Sequence, residues 1–268
     1  MSDPDPSSKD KYIVPALMQG LAVLALFSRD RPGITAPEIA QELGLSRTTV
    51  FRILHTLQAT GWIARRDEER FYRLGPAVLS RGFVYLASQD VVERARPALI
   101  GLRDATGLST HMAVRDGREV VYVARFPATT TVNSSVQIGT RFPIHATVMG
   151  RMMICDWTDA ELAALFPEPD LPAFTEQTPR TLEALRELLA ADRARGYAVS
   201  QSFFERGVSS VAAPVRDDAG RTVATINATS VDNYVSLDDM TGPIKDAVIA
   251  AAAEISRWMS SDQSPGRG

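Results

Sequence analysis

From Ser46 to Ala59 the chain carries no Asp or Glu. Arg47, Thr48, Phe51, Arg52 and His55 gather on one side of a helical wheel in this stretch. Val50, Ile53, Leu54 and Leu57 recur at three and four on the other side, which is an apolar helical stripe. An acid-free face of this kind suits the DNA major groove. Arginine pairs bidentately with guanine O6 and N7. Ser46, Thr48 and Thr49, near the start of the helix, are placed to reach phosphates or base edges, and a helix N-terminus favours phosphate. Arg65, Arg66 and Arg70 follow in a short hairpin and are expected at the DNA backbone or minor groove. The competing reading is a solvated helix face in a small bundle.

Other chemistry is sparse. The sequence has no GxSxG elbow, no GxxxxGK[ST] loop and no GxGxxG after a strand. A single cysteine, Cys155, excludes an intramolecular disulfide and a CxxC metal site. With three scattered histidines it forms no zinc set, so neither metal nor cofactor is expected. Cys155 follows Met152, Met153 and Ile154 and is assigned to the core. His111, within STHMAV, is assigned to a strand as a satisfied core histidine. Asp159, Glu161, Asp238 and Asp239 are helix-start acids that complement the dipole. An enzyme acting on a small acid remains an alternative, but no nucleophile–base pair supports it.

The elements must position the basic face. Leu17, Leu21, Leu24 and Phe27 recur at three and four and predict a helix over Pro15–Ser28 with an apolar stripe. Ala36–Leu43 is a second helix, opened by Pro37 and stopped by Gly44. Ser46 caps the third, with Leu45 and Val50 as a hydrophobic staple. Trp62–Arg66 and Arg70–Leu74 form a hairpin across Asp67, Glu68 and Glu69. This order is that of a winged helix-turn-helix. A linker helix follows to Ser88. Beyond it, strands are predicted at Ser109–Arg115, Glu119–Phe126, Thr130–Ile138, Tyr197–Ser202, Val208–Arg216 and Thr222–Thr229. Helices are predicted at Val91–Thr106, His145–Cys155, Asp159–Leu165, Pro179–Arg195 and Leu237–Ser260. The fold class is α+β. The expected divisions are a tail at 1–12, the winged helix at 13–75, the linker at 76–90, the second domain at 91–260 and a tail at 261–268.

The charge is segregated to match. The 268 residues have a formal net charge of −3. Residues 31–81 hold eight Arg against five acids, whereas residues 91–268 hold eighteen basic against twenty-two acidic residues. No apolar run approaches the ~18–20 residues of a membrane span, and Met1–Lys11 is polar, so a cytoplasmic, non-membrane protein is expected.

Residues 34–76, ITAPEIAQELGLSRTTVFRILHTLQATGWIARRDEERFYRLGP, resemble the DNA-binding domain of IclR-type bacterial transcriptional regulators. TRFPIHATVMGRMM, RGYAVSQSFFERGVSSVAAPV and AAAEISRWM extend the likeness to about residue 260. The resemblance implies a GAF-like effector-binding domain and a homodimer or dimer of dimers on a double-stranded operator. It implies repression or activation under a small-molecule effector, and leaves a contact to RNA polymerase open. VPALMQGLAVLALF, RFYRLGP, GFVYLAS and FPIHATVMGR are similar to members governing aromatic-acid breakdown through the β-ketoadipate pathway. Carried over, the family's pocket places His145, Ala146, Thr147, Val148 and Met149 on one wall. Val208, Ser209, Ser210, Asn227 and Thr229 stand on the other. Many members have Arg-Cys where this chain has Ser209-Ser210. Arg125 or Arg141 would neutralise the carboxylate of an organic acid. For these residues the structural alternative is a helix cap at Thr147, a backbone bond at His145 and solvated arginines. A second domain serving assembly alone is a further alternative.

Overall fold

The computed structural model of the chain describes residues 12–65, 70–88, 90–128, 136–231 and 235–260. The chain divides into two units between Ser88 and Gln89.

In the N-terminal unit, helix α1 (Pro15–Ala25) begins with a proline, whose missing N–H costs nothing there. Strand β1 (Ile34–Thr35) leads into α2 (Ala36–Leu43), where Thr35 and Glu38 form a reciprocal capping box. Gly44 ends α2 at φ 63°, a left-handed conformation that favours glycine. Ser46 then accepts from the Thr49 N–H and starts α3 (Arg47–Ala59). Strands β2 (Ile63–Ala64) and β3 (Phe71–Leu74) pair antiparallel, with Ile63 opposite Leu74. Helix α4 (Pro76–Ala87) follows. The core joins Val23, Ile34, Ile39, Val50, Leu54, Ile63 and Tyr72.

Ile34, which the sequence reading placed in no strand, pairs with Tyr72 as a third strand of the wing sheet. Leu17 and Leu21, in the apolar stripe of α1, are 61% and 57% exposed. The helix buries Val23 and packs Leu24 and Phe27 at its end instead, leaving its first turns uncovered in the single chain.

The C-terminal unit is an antiparallel six-stranded sheet in the order β6-β5-β4-β9-β8-β7. Its strands are β4 (Ser109–Asp116), β5 (Glu119–Phe126), β6 (Arg141–Pro143), β7 (Ala198–Gln201), β8 (Ser209–Arg216) and β9 (Thr222–Ser230). Helices α5 (Asp90–Thr106) and α10 (Lys245–Ser260) pack together and against the sheet. Thr110 bonds the Leu99 carbonyl on that side, and Ser256 accepts from the Arg216 N–H. Helix α6 (Val148–Ile154) packs against β8 and β9, over a core that includes Ala113, Tyr122 and Ala212. Helices α7 (Asp159–Leu165) and α8 (Leu182–Arg195) complete the unit, with a short α9 (Leu237–Asp239) and a π turn leading into α10.

The predicted strand Thr130–Ile138 is not found where it is described: Ile138 lies in a turn, and residues 129–135 are outside the described residues. The edge strand is β6, a few residues later. The tails at 1–11 and 261–268 and the turn Asp67–Glu69 also lie outside the described residues. No helix among the described residues is long and apolar enough to cross a membrane.

Candidate nucleic-acid interface and ligand cavity

Burying Val50, Ile53 and Leu54 fixes the rotation of α3 and turns Arg47, Thr48, Phe51, Arg52 and His55 to solvent. Ser46 and Thr49 are tied to one another. The Ser46 Oγ accepts from the Thr49 N–H at 3.1 Å and meets the Thr49 hydroxyl at 2.9 Å. Phe51 is 67% exposed and lies nearly parallel to His55, with ring centroids 6.3 Å apart. In the wing, Arg65 rests over the Tyr72 ring at 5.5 Å, and Arg70 is exposed. Arg66 lies outside the described residues. No described acid interrupts this surface between Ser46 and Arg65.

The second site is a cavity of about 300 Å³ beside α6. Strand alternation sends Ser210, Asn227 and Thr229 to one face of the sheet, with Ala228 and Val211 on the other. His111 stands opposite Asn227 in register and joins them. The Asn227 Oδ1 accepts from His111 Nδ1 at 2.9 Å, so the ring proton sits on Nδ1. The Asn227 amide nitrogen donates to Ser210 Oγ at 3.0 Å and to Thr229 Oγ1 at 2.8 Å. The His111 Nε2 has no hydrogen-bond partner among the described residues. Burial lowers the His111 pKa to about 4, the Asn227 bond opposes the shift, and the nearby Arg125 charge adds to it. The imidazole is therefore neutral at pH 7. Tyr122, Phe142, Phe203 and Phe204 make an aromatic wall, with Phe142 edge-on to both Tyr122 and Phe204.

Of the residues assigned to an effector pocket, Ala146, Thr147, Val148, Val208, Ser210, Asn227 and Thr229 line this cavity. Five do not. Ser209 is one step from Ser210 and faces the other way. Met149 is fully buried in the core around α6. His145 bonds the Pro172 carbonyl at 2.9 Å and packs against Phe166 and Phe174, and burial lowers its pKa. Arg141 is held at the surface by Asp116 and Glu119, at 2.6 and 2.7 Å. Arg125 is the cross-strand partner of His111, yet its guanidinium turns to Gln137 at 3.4 Å and stays outside the lining.

Thr147 does cap α6, accepting from the Gly150 N–H at 3.0 Å. Gly150 is required there, since a Cβ would sit 2.0 Å from the Ile144 carbonyl oxygen. His111, Tyr122, Phe142, Ser200, Phe203, Phe204 and Glu205 also line the cavity and escaped the sequence reading. The signal for His111 was its alternation within STHMAV, which becomes informative only once β4 is known to neighbour β9. Cys155 is buried as expected, and burial pushes its thiol pKa up to about 11. The described residues contain no cluster of metal-ligating side chains.

Comparison with known proteins identifies the arrangement. Residues 16–67 match the IclR helix-turn-helix domain, and residues 83–257 match the bacterial transcriptional regulator IclR C-terminal domain. The chain is 33% identical over 238 residues to the HTH-type transcriptional regulator XynR of Escherichia coli K12, covering 89% of this chain and 91% of that one. It is 28% identical to a Pca regulon regulatory protein of Pseudomonas putida, covering 92% and 84%. The structure of an IclR transcriptional regulator from Alicyclobacillus acidocaldarius superposes with a TM-score of 0.82 at 26% identity, covering 93% and 100%. These families and relatives are transcriptional regulators, not enzymes.

Proposed function

Since the chain belongs to the IclR family of DNA-binding transcriptional regulators with an effector-binding C-terminal domain, we propose that it reads an inverted-repeat operator under the control of a small aromatic acid. The base-reading surface is α3, with Arg47, Thr48, Phe51, Arg52 and His55, flanked by Ser46, Thr49 and the wing arginines 65, 66 and 70. The effector occupies the cavity beside α6. The observation that carries this reading is the cavity's two-sided lining. An aromatic wall suits a planar ring, and the Ser210–Asn227–Thr229 floor meets its polar substituents. Arg125 and Arg141 lie outside the lining, so neutral donors hold the carboxylate. The motifs shared with aromatic-acid regulators support the ligand class, as does the 28% identity to the Pca regulon protein.

A symmetric assembly reads symmetric half-sites. Exposed Leu17, Met18 and Leu21 on α1, and Leu79, Phe83 and Val84 on α4, support a contact between copies. Where the operator lies relative to the promoter then decides repression or activation.

A thermal-shift screen of the full chain against aromatic and short aliphatic acids tests the ligand assignment. An effector at ~100 times its Kd stabilises the native state by about 2.7 kcal/mol. The expected outcome is a raised melting temperature with aromatic acids. No shift with any acid would favour a second domain serving assembly alone.

A further inference from the structure

We propose that Phe51 is a base-reading residue that recognises the 5-methyl group of a thymine in the operator. The inference rests on the reading of α3 as the helix in the major groove. Phe51 is 67% exposed and contributes nothing to the N-terminal core. Its recorded ring contact is His55, one turn along the same helix, at 6.3 Å and 16° between planes. At ~100° per residue, Phe51 and His55 fall between Arg47 and Arg52 on the exposed face. The apolar ring is thus set within a cationic surface that has no acid from Ser46 to Ala59.

That combination fits one occupant. Phosphates satisfy arginine and hydroxyl groups but offer nothing to a phenyl ring. Among groups displayed in the major groove, the thymine C5-methyl is the apolar one, and phenylalanine is among the side chains that contact it. Ala36, Pro37 and Tyr72 join Phe51 in a shallow depression that Arg47 and Thr48 edge, and the acid-free cationic face around it favours DNA over a protein partner. The near-parallel His55 ring stands beside the phenyl group on the same exposed face.

The test begins with a duplex selected from a random pool by the full-length chain. Each thymine is then replaced singly by deoxyuridine, which removes only the methyl group. Binding is measured by fluorescence anisotropy for the wild type and for Phe51→Ala. Circular dichroism and thermal melting confirm that the variant is folded. At one thymine per half-site the wild type is expected to bind about fourfold more weakly to the uracil duplex, the effect of losing one buried methyl contact. Phe51→Ala is expected to bind both duplexes equally, whereas Phe51→Leu keeps part of the discrimination. If no thymine distinguishes the wild type from Phe51→Ala, the inference is overturned while α3 remains the reading helix. An equal loss by Phe51→Ala on selected and random DNA overturns it too. If the full chain selects no duplex at all, the assignment of α3 fails and this inference with it.

Discussion

His111 has one nitrogen bonded to Asn227 and the other without a hydrogen-bond partner among the described residues, at the wall of the cavity. Burial holds its pKa at about 4, against about 6.5 for an exposed histidine. As pH falls, the unfolded chain takes up this proton first. The native state is therefore fully stabilised above about pH 6.5, and stability drains away between about 6.5 and 4. Between pH 7.5 and pH 5 the contribution is about 2 kcal/mol. Urea unfolding of wild type and His111→Gln at those two pH values isolates it. The wild type should lose about 2 kcal/mol more than the variant. Equal losses would mean that His111 is not a buried neutral group. His111 as a strand residue was legible in the sequence, but its unsatisfied Nε2 and its place in the cavity lining were not. That place depends on β4 lying beside β9, two strands separated by more than a hundred residues, and nothing local in STHMAV reports such a pairing.

Helix α6 joins the cavity to the core. Its N-terminal residues Thr147 and Val148 line the cavity, and one turn on Arg151 is buried. Arg151 bonds Asp192 of α8 at 2.6 Å and the Val199 carbonyl of β7 at 3.0 Å. Its guanidinium lies 4.8 Å over the Phe203 ring of the cavity wall. Replacing Arg151 with Met leaves Asp192 buried without that partner. The loss should be about 3–5 kcal/mol, at the lower end because Arg195 still bonds Asp192 at 2.5 Å. Replacing both residues, as Arg151→Met with Asp192→Leu, should recover most of that loss in chemical denaturation. A double variant as unstable as the sum of the singles would contradict the pairing. Elements with strong local signals were legible: α2 and α3 follow their Pro, Gly and Ser punctuation, and β5 and α7 keep their expected limits. The short strands β1 and β6 were not legible. Two or three residues carry too little periodicity, and their strand state comes from the neighbour they pair with.

At the scale of the whole molecule, the charge of −3 conceals a division of labour. On the proposed reading, a winged helix with a basic face is joined to an acidic domain that DNA would repel, which would leave α3 and the wing as the attractive surface. The apolar stripe of α1 was legible as a stripe, but what covers it was not: Leu17, Met18 and Leu21 are open, because the sequence marks surfaces that avoid water without saying whether this chain or another covers them. The central claim is that ligand in the cavity controls operator binding. It requires a ligand that prefers one state of the protein, because equal affinity for both shifts nothing. The direct measurement is the operator Kd of the full chain at fixed salt, with and without the aromatic acid that gives the largest thermal shift. The wild type should change its Kd by about 5- to 150-fold, and Asn227→Leu, which dismantles the cavity floor, should not respond. An operator Kd indifferent to every acid that binds would contradict the account.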